Sequence, residues 1–215
     1  ILDFHLVTKW KTAGDRITAA PRLARPDSKN ILIVGAGTVG QSLFDAYSAA
    51  FPKANFLVWN RTHERALYMV KNKSNAVAVE NLEAGVKRAD IITCATMSKQ
   101  PIIKGEWLIP GQHLDLIGAY RPDMREVDDL ALCRSPTFVD SYDTTLDHIG
   151  ELKIPLKNNV ISKEDILADF YGLGNFIRRS NDEITFFKNG GGAHLDLIVA
   201  KYILTAWEKN KYPKS

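Results

Sequence analysis

Residues 31–40, which read ILIVGAGTVG, decide the fold, because four consecutive apolar residues run into a G-x-G-x-x-G pattern. The first glycine of this pattern allows a tight turn after a strand, the second lets a phosphate approach the backbone, and the third lets a helix pack closely. The amide groups in the first turn of that helix then face an anion. The stretch predicts a binding site for the pyrophosphate of a dinucleotide, NAD or NADP, formed by Gly35, Ala36, Gly37, Thr38, Val39 and Gly40.

The sequence on either side of the glycines predicts a β-α-β unit. Residues 25–30 form a polar turn, residues 41–51 an amphipathic helix, and residues 55–60 a second apolar strand. That strand ends about twenty residues beyond the glycines, where dinucleotide-binding folds contact the adenosine ribose. A glycine turn without any ligand is the alternative interpretation, and this context disfavours it.

The residues at the ribose position favour NADP(H) over NAD(H). NAD-binding proteins usually place Asp or Glu there, whereas this chain has Asn60, Arg61 and Thr62, with Arg65 one helical turn later. A neutral amide beside two guanidinium groups and a hydroxyl suits a 2′-phosphate, because Arg donates planar bidentate hydrogen bonds to phosphate oxygens. The alternative is that both arginines are solvated residues of a surface helix with Thr62 as its N-cap.

Composition indicates a globular chain without an unusual partner. With 45% hydrophobic and 25% charged residues, the 215 residues suffice for one nucleotide-binding domain and part of a second. The net charge of +3 comes from scattered Lys and Arg, so we expect neither nucleic acid nor a membrane as partner. Cys94 and Cys133 are predicted to be buried thiols, and the dispersed histidines predict no metal site. The chain shows no signal peptide or membrane-spanning run, so we expect a cytoplasmic location.

The rest of the chain predicts an α/β fold, a Rossmann-type doubly wound parallel sheet with a partial second domain. Strands are expected at residues 6–8, 76–79, 89–95, 113–118, 137–140 and 183–188, and helices at 8–24, 64–71, 81–88, 142–150, 163–173 and after residue 192. Open α/β sheets bind ligands at the carboxyl ends of their strands. Thr96, Met97 and Ser98, which follow the strand at 89–95, are therefore predicted to border the cofactor. The glycines at 190–192 either approach a ligand or only accommodate a positive φ at a strand-to-helix joint.

The chain resembles the ornithine cyclodeaminase and mu-crystallin family over essentially its whole length. The segments that carry the resemblance are Trp10-Lys11-Thr12-Ala13, Gly35-Ala36-Gly37, Trp59-Asn60-Arg61-Thr62, Ala95-Thr96-Met97-Ser98, residues 118–126 (GAYRPDMRE) and Phe187-Lys188-Asn189-Gly190-Gly191. The Asn-Arg-Thr trio is similar to the NADPH-using branch. The resemblance implies a small imino or amino acid as substrate and a homodimer. It also implies that Lys11 binds the substrate carboxylate and Thr12 the pyrophosphate, while Ile117, Gly118, Ala119 and Asn189 lie beside the nicotinamide.

Two departures from the family pattern refine this expectation. Full-length members carry a further N-terminal portion, about the size of a small domain, so the activity of these 215 residues alone is in doubt. Cyclodeaminases place an aspartate where this chain has Tyr120, and a tyrosine with an unperturbed pKa of about 10 is a poor base near neutral pH. Reduction of an imine requires mainly positioning and charge stabilisation. The catalytic residue is left unassigned.

These observations predict an NAD(P)H-dependent oxidoreductase that acts on small cyclic imino acids, such as pyrroline-2-carboxylate or piperideine-2-carboxylate. Ornithine cyclodeaminase and a catalytically impaired cofactor-binding fragment are the alternatives. The expected domains are residues 1–24, a remnant of a substrate and dimerisation domain, residues 25–188, a dinucleotide-binding domain, and residues 189–215, a helix that returns to the substrate domain.

Overall fold

The computed structural model describes Val7, Lys11, Gly14 and residues 18–211, with the side chains of residues 193 and 194 excepted. Its centre is a single sheet in which every strand pair is parallel. The strands are β1 (Asn30–Val34), β2 (Asn55–Trp59), β3 (Ala76–Ala78), β4 (Ile91–Cys94), β5 (His113–Leu116), β6 (Thr137–Val139), β7 (Ile166–Ala168) and β8 (Thr185–Lys188). Their spatial order is β3-β2-β1-β4-β5-β8-β6-β7.

Helices connect these strands and cover both faces of the sheet. They are α1 (Thr38–Ala50), α2 (His63–Val70), α3 (Leu82–Arg88), α4 (Asp129–Cys133), α5 (Tyr142–Thr145), α6 (Gly150–Lys157) and α7 (Ala193–Lys211). Single 3-10 turns occur at Gly105–Trp107, Lys163–Asp165 and Leu173–Asn175. Residues 18–23 are also helical.

Alternate residues of each central strand enter different apolar cores, because successive side chains of a strand point to opposite faces. Ile31 and Ile33 of β1 pack with Leu43 and Tyr47 of α1. Leu32, in contrast, packs in the core that contains Val86 of α3 and Leu114 of β5. Because both faces are buried, residues 31–34 of β1 are all apolar rather than alternating. The predicted doubly wound parallel sheet is confirmed.

Three predictions about local structure and burial are wrong. Residues 163–173 were predicted to form one helix, but they form a 3-10 turn followed by strand β7, which pairs with β6. The predicted helix at 142–150 ends at Thr145, and the sequence pattern missed α6, which contains Pro155. Cys94 is buried as predicted, whereas Cys133 at the end of α4 is exposed.

The amino-terminal prediction is partly wrong. Val7 is helical rather than part of a strand, while Lys11, Gly14 and residues 18–23 agree with the predicted helix at 8–24. Leu6, Thr8 and Thr12 lie outside the described residues. The division of the chain into three domains stays a prediction.

Candidate active site

The site lies where the sheet changes winding direction. From β1 the chain proceeds to β2 and β3 on one side, and then crosses to β4 and β5 on the other. A crevice therefore opens between the carboxyl ends of β1 and β4, which is where open α/β sheets bind ligands. A cavity of about 300 Å³ occupies this place. It is lined by Gly35, Gly37, Trp59, Asn60, Arg61, Thr62, Arg65, Ala95, Thr96, Met97, Ser98 and Ile102.

The backbone at the three glycines of the fingerprint has the geometry that their predicted roles require. Gly35 has φ +111°, a left-handed conformation that suits glycine, and its amide donates to the Trp59 carbonyl. A Cβ on Gly40 would lie 1.9 Å from the Gly35 carbonyl oxygen, so only glycine allows α1 to start so close to the turn. A Cβ on Gly37 would meet no atom within 4 Å and would project into open space. The backbone at Gly37 is therefore accessible to a phosphate.

Asn60 lines the cavity and makes two hydrogen bonds within the protein. Its Oδ1 accepts a hydrogen bond from the Ala36 amide at 3.0 Å, and its Nδ2 donates to the Thr62 carbonyl at 2.9 Å. The side chain thus links the glycine turn to the loop after β2. Because both ends of the amide are engaged, Asn60 shapes the ribose end of the cavity and offers it less hydrogen-bonding capacity than the sequence suggested.

Arg61, Thr62 and Arg65 line the cavity and are exposed. Thr62 is the N-cap residue of α2, as the alternative interpretation proposed, but its side chain makes no capping hydrogen bond. Arg65 also borders a neighbouring depression together with Gly37, Glu64 and Tyr68. The side of the cavity next to α2 therefore presents two guanidinium groups, with a carboxylate from Glu64 nearby.

The loop after β4 forms the opposite rim, and the loop after β5 lies beside it, with Gly118 against Thr96. Thr96, Met97 and Ser98 line the cavity, and Met97 is 75% exposed at its edge. In the loop after β5, Ala119 is buried and Tyr120 is exposed. Asp123 points into solvent, where the Lys99 ammonium, as the main cause, and the Arg121 guanidinium lower the pKa of its carboxyl group. Neither Tyr120 nor Asp123 is therefore placed as a buried base.

Two further residues that are predicted to contact a ligand, Lys11 and Asn189, lie towards the two ends of the described chain. Lys11 Nζ lies 2.7 Å from Asp196 Oδ1, so an ion pair joins the amino-terminal segment to α7. Asn189 is buried directly after β8. Among the glycines at 190–192, Gly191 has a positive φ, +67°; whether these glycines also approach a ligand stays a prediction.

Sequence reasoning missed a set of buried charged residues below the two loops of this rim. They are Glu126, Asp140, Glu151 and Lys188, each at most 1% exposed. Asp140 accepts hydrogen bonds from the amides of Gly190 and Gly191, at 2.9 and 2.8 Å. Lys188 Nζ donates to the carbonyls of Leu116 and Asn189. The sequence offered one signal for such residues, because Asp140 and Lys188 each directly follow an apolar run. A charged residue that is fully buried almost always has a partner.

The buried thiol near this cluster is not a nucleophile. Burial, and then the Glu126 carboxylate, raise the pKa of Cys94 well above its usual value. A thiol with a raised pKa stays protonated at neutral pH and is chemically inert.

Another cavity, of about 390 Å³, is lined by residues 132–136, 160–161, 164–165, 167 and 179. It lies where β6 begins, at the edge of the sheet away from the glycine turn.

Comparison with known proteins agrees with this geometry. A family model described as the ornithine cyclodeaminase/mu-crystallin family matches residues 1–211. The chain belongs to this family. Delta(1)-pyrroline-2-carboxylate reductase of Paracoccus denitrificans is 50% identical over 211 residues, which are 94% of this chain and 67% of the relative. Ketimine reductase mu-crystallin of Mus musculus is 32% identical over 216 residues, covering 98% and 66% of the two chains.

Solved structures of related proteins show the same fold. Delta(1)-pyrroline-2-carboxylate reductase of Thermococcus litoralis, in complex with NADH and L-proline, has a TM-score of 0.86 at 30% identity and covers 91% of this chain and 63% of its own. An archaeal alanine dehydrogenase dimer with bound NAD has a TM-score of 0.88 at 28% identity, with coverages of 95% and 66%. This family member thus spans about two thirds of the length of the relatives that it matches.

The described residues lack two features, a membrane-spanning helix and a metal-binding cluster. Within residues 18–211, no helix has the length and apolar character needed to cross a bilayer. In the same part of the chain, no three His, Cys, Asp or Glu residues are grouped so that they could hold a metal ion. The absence of a metal from the reaction stays a prediction.

Proposed function

We propose that this protein reduces a small cyclic imino acid such as pyrroline-2-carboxylate, with NADPH as the hydride donor. The observation that carries the proposal is the cavity at the switch point, where Gly37 leaves the backbone open and Arg61 and Arg65 flank the ribose end. The 50% identical relative is named as a reductase of that imino acid, which supports the substrate class.

The preference for NADPH rests on charge. Arg61 and Arg65 are exposed at the cavity and available to bind a 2′-phosphate, and the Thr62 hydroxyl makes no capping bond. A guanidinium group binds phosphate oxygens in a bidentate manner and is weakly hydrated, so its desolvation is less costly than that of an ammonium group. Glu64 repels a phosphate in the neighbouring depression, so we expect the phosphate on the side of Arg61.

When bound, the reduced nicotinamide supplies a hydride to the imine carbon, and a proton completes the amine. The chain's own contribution is to bind and orient the two reactants. The first turn of α1 presents amides to the pyrophosphate, Thr96 to Ser98 and Ile117 to Ala119 form the nicotinamide side, and Asn189 borders it from β8. Lys11 neutralises the substrate carboxylate, which must compete with Asp196 for the same ammonium group. Lys offers this carboxylate a single charge rather than a planar pair of donors.

The decisive experiment measures NADPH oxidation by the 215-residue chain with pyrroline-2-carboxylate, beside proline and ammonia release from ornithine. Oxidation of NADPH that depends on the imine is the expected result. Ornithine turnover without net cofactor consumption would replace the proposal with a cyclodeaminase. Tight NADPH binding without turnover of either substrate would indicate a cofactor-binding fragment that needs the remaining third of its relatives' length.

We also propose a homodimer in the cytoplasm. One of the related structures is described as a dimer, and α7 exposes Leu197, Ile198, Tyr202, Leu204 and Trp207. Large exposed apolar patches mark interaction surfaces. Both cysteines are free thiols, as expected in a reducing compartment. Light scattering after gel filtration tests the dimer, and a monomer at micromolar concentration would overturn that part.

A further inference from the structure

One fully buried carboxylate joins the loop after β4, which lines the cavity, to the loop after β5, which lies beside it. Glu126 Oε1 accepts hydrogen bonds from the amide and the hydroxyl of Thr96, at 2.8 and 2.9 Å. Its Oε2 accepts from the Ala119 amide at 3.2 Å. The first two donors belong to the loop after β4, and the third belongs to the loop after β5.

This joint leaves no room between the loops. A Cβ on Gly118 would lie 2.0 Å from the Thr96 carbonyl oxygen and 2.2 Å from Glu126 Oε1. Real Cβ atoms do not approach other atoms so closely, so the two loops are in direct contact at Gly118. Any shift of the Glu126 carboxylate therefore moves both loops together.

Glu126 is itself fixed from the opposite side. Its amide donates to Glu151 Oε2 at 2.7 Å, and the next amide, of Val127, donates to Glu151 Oε1 at 3.1 Å. The Glu126 carbonyl accepts from the amides of Ile102 and Ile103, both at 3.0 Å. A continuous set of hydrogen bonds thus extends from α6 through Glu126 to the rim of the cavity.

We infer that Glu126 is a positioning residue for the nicotinamide half of the dinucleotide, an inference that rests on the proposed function. Thr96 lines the cavity, whereas Glu126 does not, so Glu126 acts through the loops that it holds. The adenosine half is bounded by residues 60–62 and 65, which have no contact with this carboxylate. Loss of the Glu126 charge therefore weakens binding of one half of the ligand and spares the other.

Titration of the 215-residue chain with NADPH and with 2′,5′-ADP, which is the adenosine half alone, tests this inference. Glu126→Gln keeps the shape of the side chain but replaces one acceptor oxygen with a donor, so either Thr96 or Ala119 loses its partner. A loop that has lost its partner shifts, and returning it to its position when NADPH binds costs up to the free energy of one unsatisfied buried donor, which corresponds to a loss of about tenfold to hundredfold in affinity. Affinity for 2′,5′-ADP stays within about twofold of the unmodified chain.

A control variant makes the same exchange of carboxylate for amide at the opposite end of the central strands, where β1 and β4 begin. Asp90 accepts hydrogen bonds from the amides of Lys29 and Asn30, both at 2.9 Å, before β4 begins. The other oxygen of Asp90 pairs with the Arg25 guanidinium group at 2.8 Å. Asp90→Asn therefore also removes one acceptor oxygen from a carboxylate that has several donors, but we expect it to leave the ratio of the two affinities unchanged. A changed ratio in this control would show that general destabilisation causes the effect, and would overturn the inference.

If Glu126→Gln fails to fold, Thr96→Val tests the same contact between Glu126 and the loop after β4 with a smaller loss of hydrogen bonding. It removes only the hydroxyl bond, and Thr96→Ser retains that bond, so selective weakening of NADPH binding is expected for Val and not for Ser. Equal behaviour of the two Thr96 variants would contradict the inference. An unmodified chain that binds neither ligand would overturn the proposed function and this inference together. Binding of both ligands with no selective loss in Glu126→Gln would overturn only the inference.

Discussion

Glu151 gives the protein a dependence of stability on pH that one substitution should remove. Burial raises the pKa of the Glu151 carboxyl from 4.5 to about 7, and the neighbouring Glu126 carboxylate adds to the increase, while the Lys188 ammonium opposes it. Between these two pKa values the folded chain holds a proton that the unfolded chain has already released. The stabilisation is thus complete below the unfolded pKa and is lost as the pH rises through the folded pKa.

The size of the effect follows from that difference. A pKa raised from 4.5 to about 7 corresponds to roughly 3 kcal/mol of unfolding free energy. Glu151→Gln removes the titration, but the amide has only one acceptor oxygen for the amides of Glu126 and Val127. One buried donor is then left unsatisfied, at a cost of about 1–3 kcal/mol at every pH. The variant should therefore be less stable than the unmodified chain near pH 5, and equal or more stable near pH 8.

Urea unfolding across this pH range measures the difference directly. The difference in unfolding free energy between the unmodified chain and Glu151→Gln should change by roughly 3 kcal/mol between the two limits. Glu83→Gln is the control, because the side chain of Glu83 is 43% exposed and pairs with Lys87 on the surface of α3. Its difference should be small and constant. If the difference for Glu151→Gln is also constant from pH 5 to pH 8, Glu151 does not titrate in this window and the reasoning fails.

Three further predictions concern the loops around the cavity. Gly37→Ala should leave the melting temperature unchanged but weaken NADPH binding about tenfold or more by blocking the phosphate. Gly40→Ala would place a Cβ 1.9 Å from the Gly35 oxygen, so it should both weaken NADPH binding and lower the melting temperature. Arg61→Ala should weaken NADPH binding about tenfold, the size of one charged hydrogen bond, and change NADH binding little; equal losses for both cofactors in a titration would contradict this. Asp140→Asn should destabilise the chain in urea by about 1–3 kcal/mol and increase hydrogen exchange at the backbone amide of Gly191. The asparagine side chain has one acceptor oxygen instead of two, so it can accept from only some of the donors that Asp140 binds.

The parts of the fold that the sequence predicted correctly depend on local pattern. The apolar run before Gly35, the glycine spacing and the amphipathic helix after it all lie within one short stretch. Residues 163–173 show where local pattern fails. Ser162 and Asp165 form a capping box that starts only one turn, and the next residues then extend because β6 offers them a partner. That partner lies far away in the sequence, so no local periodicity could indicate it.

The same distinction explains which site residues were found. Gly37, Arg61 and Thr96 belong to recognisable segments next to strand ends. Glu126 was missed as a site residue because it acts on Thr96, which lies 30 residues earlier in the chain. Asp140 acts on Gly191 across 51 residues. A buried carboxylate whose donors are so distant in sequence shows its role only when the chain is folded.

Asn60, Glu126 and Asp140 have a common physical role at this edge of the sheet. A loop that follows a strand has backbone amides that the sheet cannot pair, and a buried unpaired amide is costly. Each of these side chains accepts such amides, from Ala36, from Thr96 and Ala119, and from Gly190 and Gly191. Loops fixed in this way lose little further freedom when a dinucleotide binds, which lowers the entropic cost of binding. Glu126 and Asp140 do not line the cavity. We therefore expect their substitution to weaken binding without removing a direct contact to the ligand.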